Sequence, residues 1–194
     1  MGAVADLLVV GLGNPGAEYQ HTRHNVGADA VGVLASRKGE RLRAEKGTRA
    51  LAASTRLGGK LVVLAVPQTY MNDSGLAVGA LARRHGITDL SRLVVVHDEL
   101  DLPTGRVRVK VGGGTAGHNG LKSIHAHLHS PEYARIRIGI GKPPGGQAGA
   151  DHVLRRPGRA DRQALDVAIE VAADAIEAVA ADGLEAAMNR VNSD

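Results

Sequence analysis

Leu7-Leu8-Val9-Val10-Gly11-Leu12-Gly13-Asn14-Pro15-Gly16 is the stretch on which the fold turns. Four consecutive apolar residues ended by glycine read as a strand buried on both faces, the kind found inside a parallel sheet. The continuation matches G-x-G-x-x-G, the turn that binds dinucleotides. That motif needs a helix opening within it and a second strand ending in an acidic residue about 20 residues on. Ala17-Glu18-Tyr19-Gln20-His21-Thr22 is a poor helix start, and Ser36-Arg37-Lys38-Gly39 is no acidic strand end. The glycines therefore read as shaping a sharp loop that presents Asn14 at the carboxyl end of a strand, where α/β proteins hold ligands.

Outward from there, helical periodicity marks residues 25–38, 73–85, 119–129 and 161–182, the last pattern being stopped by Gly183. Residues 49–57 and 60–66 read as strands joined at Gly58-Gly59, a strong hairpin turn. Leu93-Val94-Val95-Val96 is another buried strand. Arg106-Val107-Arg108-Val109-Lys110-Val111 alternates strictly, so it reads as a strand with one wet, basic face, and Arg135-Ile136-Arg137-Ile138 alternates again. Interleaved strands and helices predict an α/β fold: one compact domain over residues 1–194, a mixed twisted sheet flanked by helices. Gly141-Lys142-Pro143-Pro144-Gly145-Gly146-Gln147-Ala148-Gly149 reads as a surface loop, a lid if the site lies beside it.

Composition narrows the chemistry. With no cysteine, disulfides, thiolate zinc sites and a cysteine nucleophile are excluded. The net charge of +4 permits a nucleic-acid partner without establishing one. There is no Phe, no Trp and only three Tyr, so few rings can stack on bases; RNA would be held through phosphates and shape. The N-terminus lacks a secretory pattern, and no apolar run approaches the ~18 residues of a membrane helix. A soluble, cytoplasmic protein with no membrane contact is expected.

Five polar clusters fall at strand ends or loop–helix junctions: Asn14; Tyr19 with Arg23-His24-Asn25; Tyr70-Met71-Asn72; His97-Asp98-Glu99; and His118-Asn119. Taken singly, Asn25, Asn72 and Asn119 read as helix caps. Taken together, the clusters fit one crevice. His24 can take a proton from water at neutral pH, and Asp98 can fix its tautomer. Asparagines can hold amides and polarise an ester carbonyl. The run Gly112-Gly113-Gly114-Thr115-Ala116-Gly117 leads into a helix, where free backbone N–H groups suit an anion. Asp98, Glu99 and Asp101 suggest Mg²⁺, but neighbours in a strand face opposite sides. His125, His127 and His129 suggest a metal comb, but on a helix only 125 and 129 share a face, so a solvated surface is the better reading. No metal is expected.

The chain resembles the bacterial-type peptidyl-tRNA hydrolases over essentially its whole length. The resemblance rests on Gly11-Leu-Gly-Asn-Pro-Gly16, Tyr19-x-x-Thr-Arg-His-Asn-x-Gly27, Pro67-x-Thr-Tyr-Met-Asn-x-Ser-Gly75, His97-Asp-Glu-Leu-Asp-Leu-Pro103, Gly112-Gly-Gly-x-x-Gly-His-Asn-Gly-Leu-Lys122 and Arg135-Ile-Arg-Ile-Gly-Ile-Gly141. It implies a monomer without a cofactor that cleaves the ester between a peptide and the terminal ribose of tRNA. His24 would be the catalytic base, Asp98 its orienting partner, and Asn14 and Asn119 would hold the substrate near the ester. Tyr70, Met71 and Asn72 would line the peptide crevice, Asn72 bonding the peptide backbone. Tyr19 would flank the entry of the tRNA acceptor end and His118 would stand at the rim. Lys110 and Arg137 would clamp the tRNA 5′-phosphate. The loop after Gly141 departs from the family in length and sequence, so contacts there do not carry over. The alternative is a catalytically silent module that binds structured RNA.

Overall fold

The computed structural model describes residues 4–145 and 148–193. The first three residues of the N-terminal reading and Gly146-Gln147 of the proposed lid lie outside that range. The strands are β1 (Leu7–Gly11), β2 (Arg43–Glu45), β3 (Ala50–Leu57), β4 (Lys60–Pro67), β5 (Leu93–Glu99), β6 (Val107–Val111) and β7 (Ala134–Gly139). The helices are α1 (Val26–Arg37), α2 (Ser74–Arg84), α3 (Asn119–Leu128), α4 (Gly149–Val153), α5 (Arg159–Asp182) and α6 (Leu184–Val191). The sheet runs β2-β3-β4-β1-β5-β7-β6. Its centre, β4-β1-β5-β7, is parallel, while β2, β3 and β6 join antiparallel. The mixed sheet expected from the sequence is therefore present, with the hairpin at Gly58-Gly59 and the β6 edge as its antiparallel members.

Period-two alternation divides the strand residues between two cores. Leu7, Val9, Val94, Val96, Ile136 and Ile138 face α1, α5 and α6; Leu8, Val10, Leu93 and Val95 face α2 and α3. Both faces of β1 are covered, which is why its sequence is an unbroken apolar run. Each fully buried Val, Leu or Ile contributes about 1.5–3 kcal/mol of transfer free energy.

One close approach positions the site. A Cβ on Gly27 would stand 2.1 Å from the Val96 carbonyl oxygen, and one on Gly11 would stand 2.3 Å from the Gly27 carbonyl oxygen. Only two bare Cα atoms let the first turn of α1 settle on the ends of β1 and β5. The turn Arg23–Asn25 just ahead of α1 is thereby carried to the ends of the same two strands.

Candidate active site

Asp98 is buried near the carboxyl end of β5, and two imidazoles converge on it. His24 Nδ1 lies 2.8 Å from Asp98 Oδ2, and His118 Nε2 lies 2.8 Å from Asp98 Oδ1. Burial alone would raise the Asp98 carboxyl, but the two imidazoles and their hydrogen bonds outweigh it and hold it well below the usual carboxylate range. The carboxylate is thus ionised and only accepts, so both ring nitrogens facing it carry protons. For His24 this leaves Nε2 with a free lone pair. Burial opposes its imidazolium, yet Asp98 more than compensates, and the His24 pKa is raised above its ordinary value.

His118 is held from both sides. Its Nδ1 accepts the Gly120 and Leu121 N–H groups at 3.1 and 3.3 Å, so it caps α3 while its Nε2–H donates to Asp98. This corrects two expectations. The cap of α3 is His118, not an asparagine, and two of the backbone donors expected to form an anion site are already taken. Asn72 lies in the short turn Met71–Asp73 and caps nothing with its side chain. Asn25 stands at the head of α1 without capping it. Its side chain instead clamps Asn14 in both directions: Asn14 N–H donates to Asn25 Oδ1 at 2.9 Å and Asn25 Nδ2 donates to the Asn14 carbonyl at 3.0 Å. Asn14 Oδ1 in turn accepts the Met71 N–H at 2.7 Å, which leaves the Asn14 Nδ2 group as its available donor.

Two adjoining cavities share His24, Asn119, Ala150 and Val153. The first, about 230 Å³, runs from Asp98 past His118. The second, about 270 Å³, is walled by Asn14, Tyr19, Tyr70, Met71, Asn72 and Leu154. Tyr19 and Tyr70 meet edge to face, their centroids 6.2 Å apart, with Tyr70 59% exposed at the mouth. His24, Asp98, His118, Asn119, Asn14, Tyr19, Tyr70, Met71 and Asn72 are therefore gathered around these cavities, whereas His97 and Arg23, selected with them from the sequence, line neither. The wall from α4 was not foreseen.

Lys110 and Arg137 line a separate cavity with His97, Glu99 and Arg135. Residue pairing puts Arg108 opposite Arg137 and Lys110 opposite Arg135, so four cationic residues share one face of β6 and β7. That face is not uniformly wet. Arg135 is 2% exposed, under the Tyr133 ring, and donates to the carbonyls of Gly113, Gly114 and Pro131. Arg137 stands 3.8 Å from Glu99, while the Lys110 ammonium lies against Gly113 with no ion-pair partner among the described residues. Residues 98 and 99 diverge as strand alternation requires, so they form no joint cation site. His125 meets Tyr133 edge to face and lies against Arg135, His127 donates to the Ser123 carbonyl, and His129 has left the helix. No comb forms, although His125 is less solvated than expected. The one cluster with metal-ligand types among the described residues is His24, Asp98 and His118, within 4.8 Å of one another. Their 2.8 Å contacts are those of proton-filled hydrogen bonds.

The arrangement can activate water: an ionised acid orients one imidazole whose second nitrogen is free beside amide donors. The chain is similar to known proteins in sequence and fold. The family model for peptidyl-tRNA hydrolase matches residues 8–194. The peptidyl-tRNA hydrolase of Cutibacterium acnes is 49% identical over 196 residues, covering 96% of this chain and 98% of that one. That of Nocardia farcinica is 51% identical and covers 95% of each. The crystal structure of the peptidyl-tRNA hydrolase from Acinetobacter baumannii superposes with a TM-score of 0.91 at 36% identity, covering 98% of this chain and 96% of that one. With the match running from the first strand to the last helix, this chain belongs to the peptidyl-tRNA hydrolase family.

Proposed function

We propose that the chain, as one domain over residues 1–194, hydrolyses the ester joining a peptide to the terminal ribose of tRNA. The observation that carries this reading is His24, its tautomer set by ionised Asp98, with a free Nε2 in a crevice lined by asparagines. Water donates its proton to His24 Nε2 as its oxygen attacks the ester carbonyl. The imidazolium so formed is stabilised by Asp98 and returns the proton to the departing ribose oxygen. Asn14 and Asn119 hold the substrate near the reacting carbonyl, Asn72 bonds the peptide backbone, and Tyr70 and Met71 flank it. Tyr19 borders the entry of the tRNA acceptor end, His118 holds the second oxygen of Asp98, and Lys110 with Arg137 receives the 5′-phosphate. A free aminoacyl-tRNA is spared because its ammonium replaces the amide that the asparagines recognise. The protein works as a cytoplasmic monomer without metal or cofactor; no helix among the described residues is long and apolar enough to cross a membrane.

The test is release of N-acetyl-amino acid from N-acetyl-aminoacyl-tRNA in EDTA, with wild type and His24→Ala. Chelator-resistant release abolished in the variant supports the mechanism. Salt-dependent tRNA binding by folded wild type without any release would overturn it in favour of a silent RNA-binding module.

A further inference from the structure

We infer that Arg23 is a positioning residue which, with Arg156, latches the short helix α4 against the segment carrying Tyr19 and His24 and so sets the width of the peptide crevice. The inference rests on the proposed reading that the peptide occupies the cavity lined by Asn14, Met71 and Asn72.

Helix α4 has five residues, far too few to be stable alone, so its place is set by what it docks on. It matters because Ala150 and Val153 border both cavities and Leu154 borders the second. On its amino side it follows Gly141, Pro143, Pro144 and Gly145, and His152 Nε2 makes one long contact, 3.4 Å, to the Ile140 carbonyl. On its carboxyl side the anchoring is dense. Arg23, its side chain only 10% exposed, sends NH1 to the carbonyls of His152 and Arg155 at 3.3 and 3.4 Å. The Arg23 backbone N–H also donates to the Arg155 carbonyl at 3.2 Å. A buried guanidinium needs such acceptors, since its carboxylate partner, Asp161, stands off at 3.5 Å.

The latch is reciprocal. Arg156 Nε and NH2 donate to the Gln20 and Ala17 carbonyls at 2.9 and 3.1 Å, and Arg162 NH1 donates to the His21 carbonyl at 3.2 Å. Arg23 thus reaches the carbonyls of one segment while Arg156 and Arg162 reach those of the other, and residues of both segments border the cavity assigned to the peptide. None of these bonds touches Asp98 or the His24 imidazole. Loosening the latch withdraws the α4 wall from the peptide and leaves the chemistry intact.

The experiment compares wild type, Arg156→Ala and Arg23→Lys. Arg156 is exposed, so its variant keeps the test alive if the buried substitution fails to fold. In the free protein, hydrogen exchange of the amides of residues 150–155 is expected to quicken about tenfold, the worth of one hydrogen bond to a charged group, with α1 unchanged. With a dipeptidyl-tRNA substrate, KM is expected to rise about tenfold, with kcat within about twofold and the pH midpoint of kcat/KM unmoved. An N-acetyl-aminoacyl substrate, which reaches less of the wall, should show a smaller rise. Unchanged exchange in both variants would overturn the latch. Faster exchange with unchanged KM would overturn its role in peptide binding, and a moved pH midpoint would show that Arg23 acts through His24 instead. If wild type cleaves no peptidyl-tRNA at all, the proposed function fails, and the exchange data alone decide the latch.

Discussion

Replacing Asp98 by asparagine puts the proposed mechanism under its sharpest strain, because His118 dictates how the new amide must sit. The Nδ1 of His118 accepts two backbone N–H groups of α3, so its Nε2 must donate. The amide oxygen therefore turns to His118, and the amide NH2 turns to His24 Nδ1. His24 then carries its proton on Nε2, the nitrogen that should take one from water. The opposite rotamer would point a protonated His118 Nδ1 at the Gly120 and Leu121 donors. Losing those two bonds costs about 2–4 kcal/mol, a factor of about 30 to 900 against the productive tautomer. Loss of the carboxylate's stabilisation of the imidazolium adds to this. The expected fall in kcat is about 10³–10⁴, comparable with about 10⁴ for the same replacement in the serine-protease triad. Release of labelled N-acetyl-amino acid from N-acetyl-aminoacyl-tRNA measures it. A second substitution, His118→Ala, frees the amide to rotate and should restore about tenfold over the single variant, although the lost helix cap costs about 1 kcal/mol of stability. A loss under tenfold in a fully folded Asp98→Asn protein, or a double variant no faster than the single, would refute the argument.

The pH profile follows from the same pair. Because only neutral His24 accepts a proton and its pKa is raised, kcat/KM should climb through a midpoint above about 6.5; a midpoint below that value would contradict the geometry. Stability runs the other way, since a raised folded pKa contributes stability that is full below about 6.5 and is lost as pH rises through the folded value. His97 has the opposite sign. Burial, aided by His118 and Arg135, lowers its pKa to about 3, so the folded state is weakened as pH falls from about 6.5 toward 3. His97→Asn should flatten that part of the Tm–pH curve, and an unaltered curve would show that His97 charges without penalty. Gly27→Ala drives a methyl into the Val96 carbonyl and should cost about 3 kcal/mol or more, read as a fall in urea midpoint.

The strongly patterned parts of the chain were legible. The apolar run of β1, the Gly58-Gly59 hairpin and the amphipathic periods of α1, α2, α3 and α5 each carry a local signal. Missing from the reading are β2, three residues long with only Ala44 apolar and lying on an edge, α4, with five residues opening on glycine, and α6, which resumes immediately after Gly183. Short elements lack a period to read and are fixed by tertiary docking. The site divides in the same way. Residue types and loop positions announced His24, Asp98 and the asparagines. Sequence could not show that Asn25 grips Asn14 rather than capping α1, or that His118 joins a helix N-terminus to Asp98, because both depend on loops meeting across the sheet. Arg135 was read only as part of an alternating strand; it is buried because Tyr133 and His125 close over it.

The opposed side chains of Asp98 and Glu99 make β5 a gauge. Consecutive Cα atoms are about 3.8 Å apart across a trans peptide, and no hinge lies within one peptide step. On the proposed reading, the acid that orients the base projects from one side, and the group beside the phosphate-binding arginine projects from the other. The span between the anchored 5′ end and the cleaved ester is then a length written into covalent geometry. A tRNA carrying an extra unpaired 5′ nucleotide can satisfy one end of the gauge or the other, but not both together. Inserting one residue after His97 would turn the strand's faces over, carrying Asp98 to the face that now bears Glu99 and leaving the inserted residue in the place that faces His24.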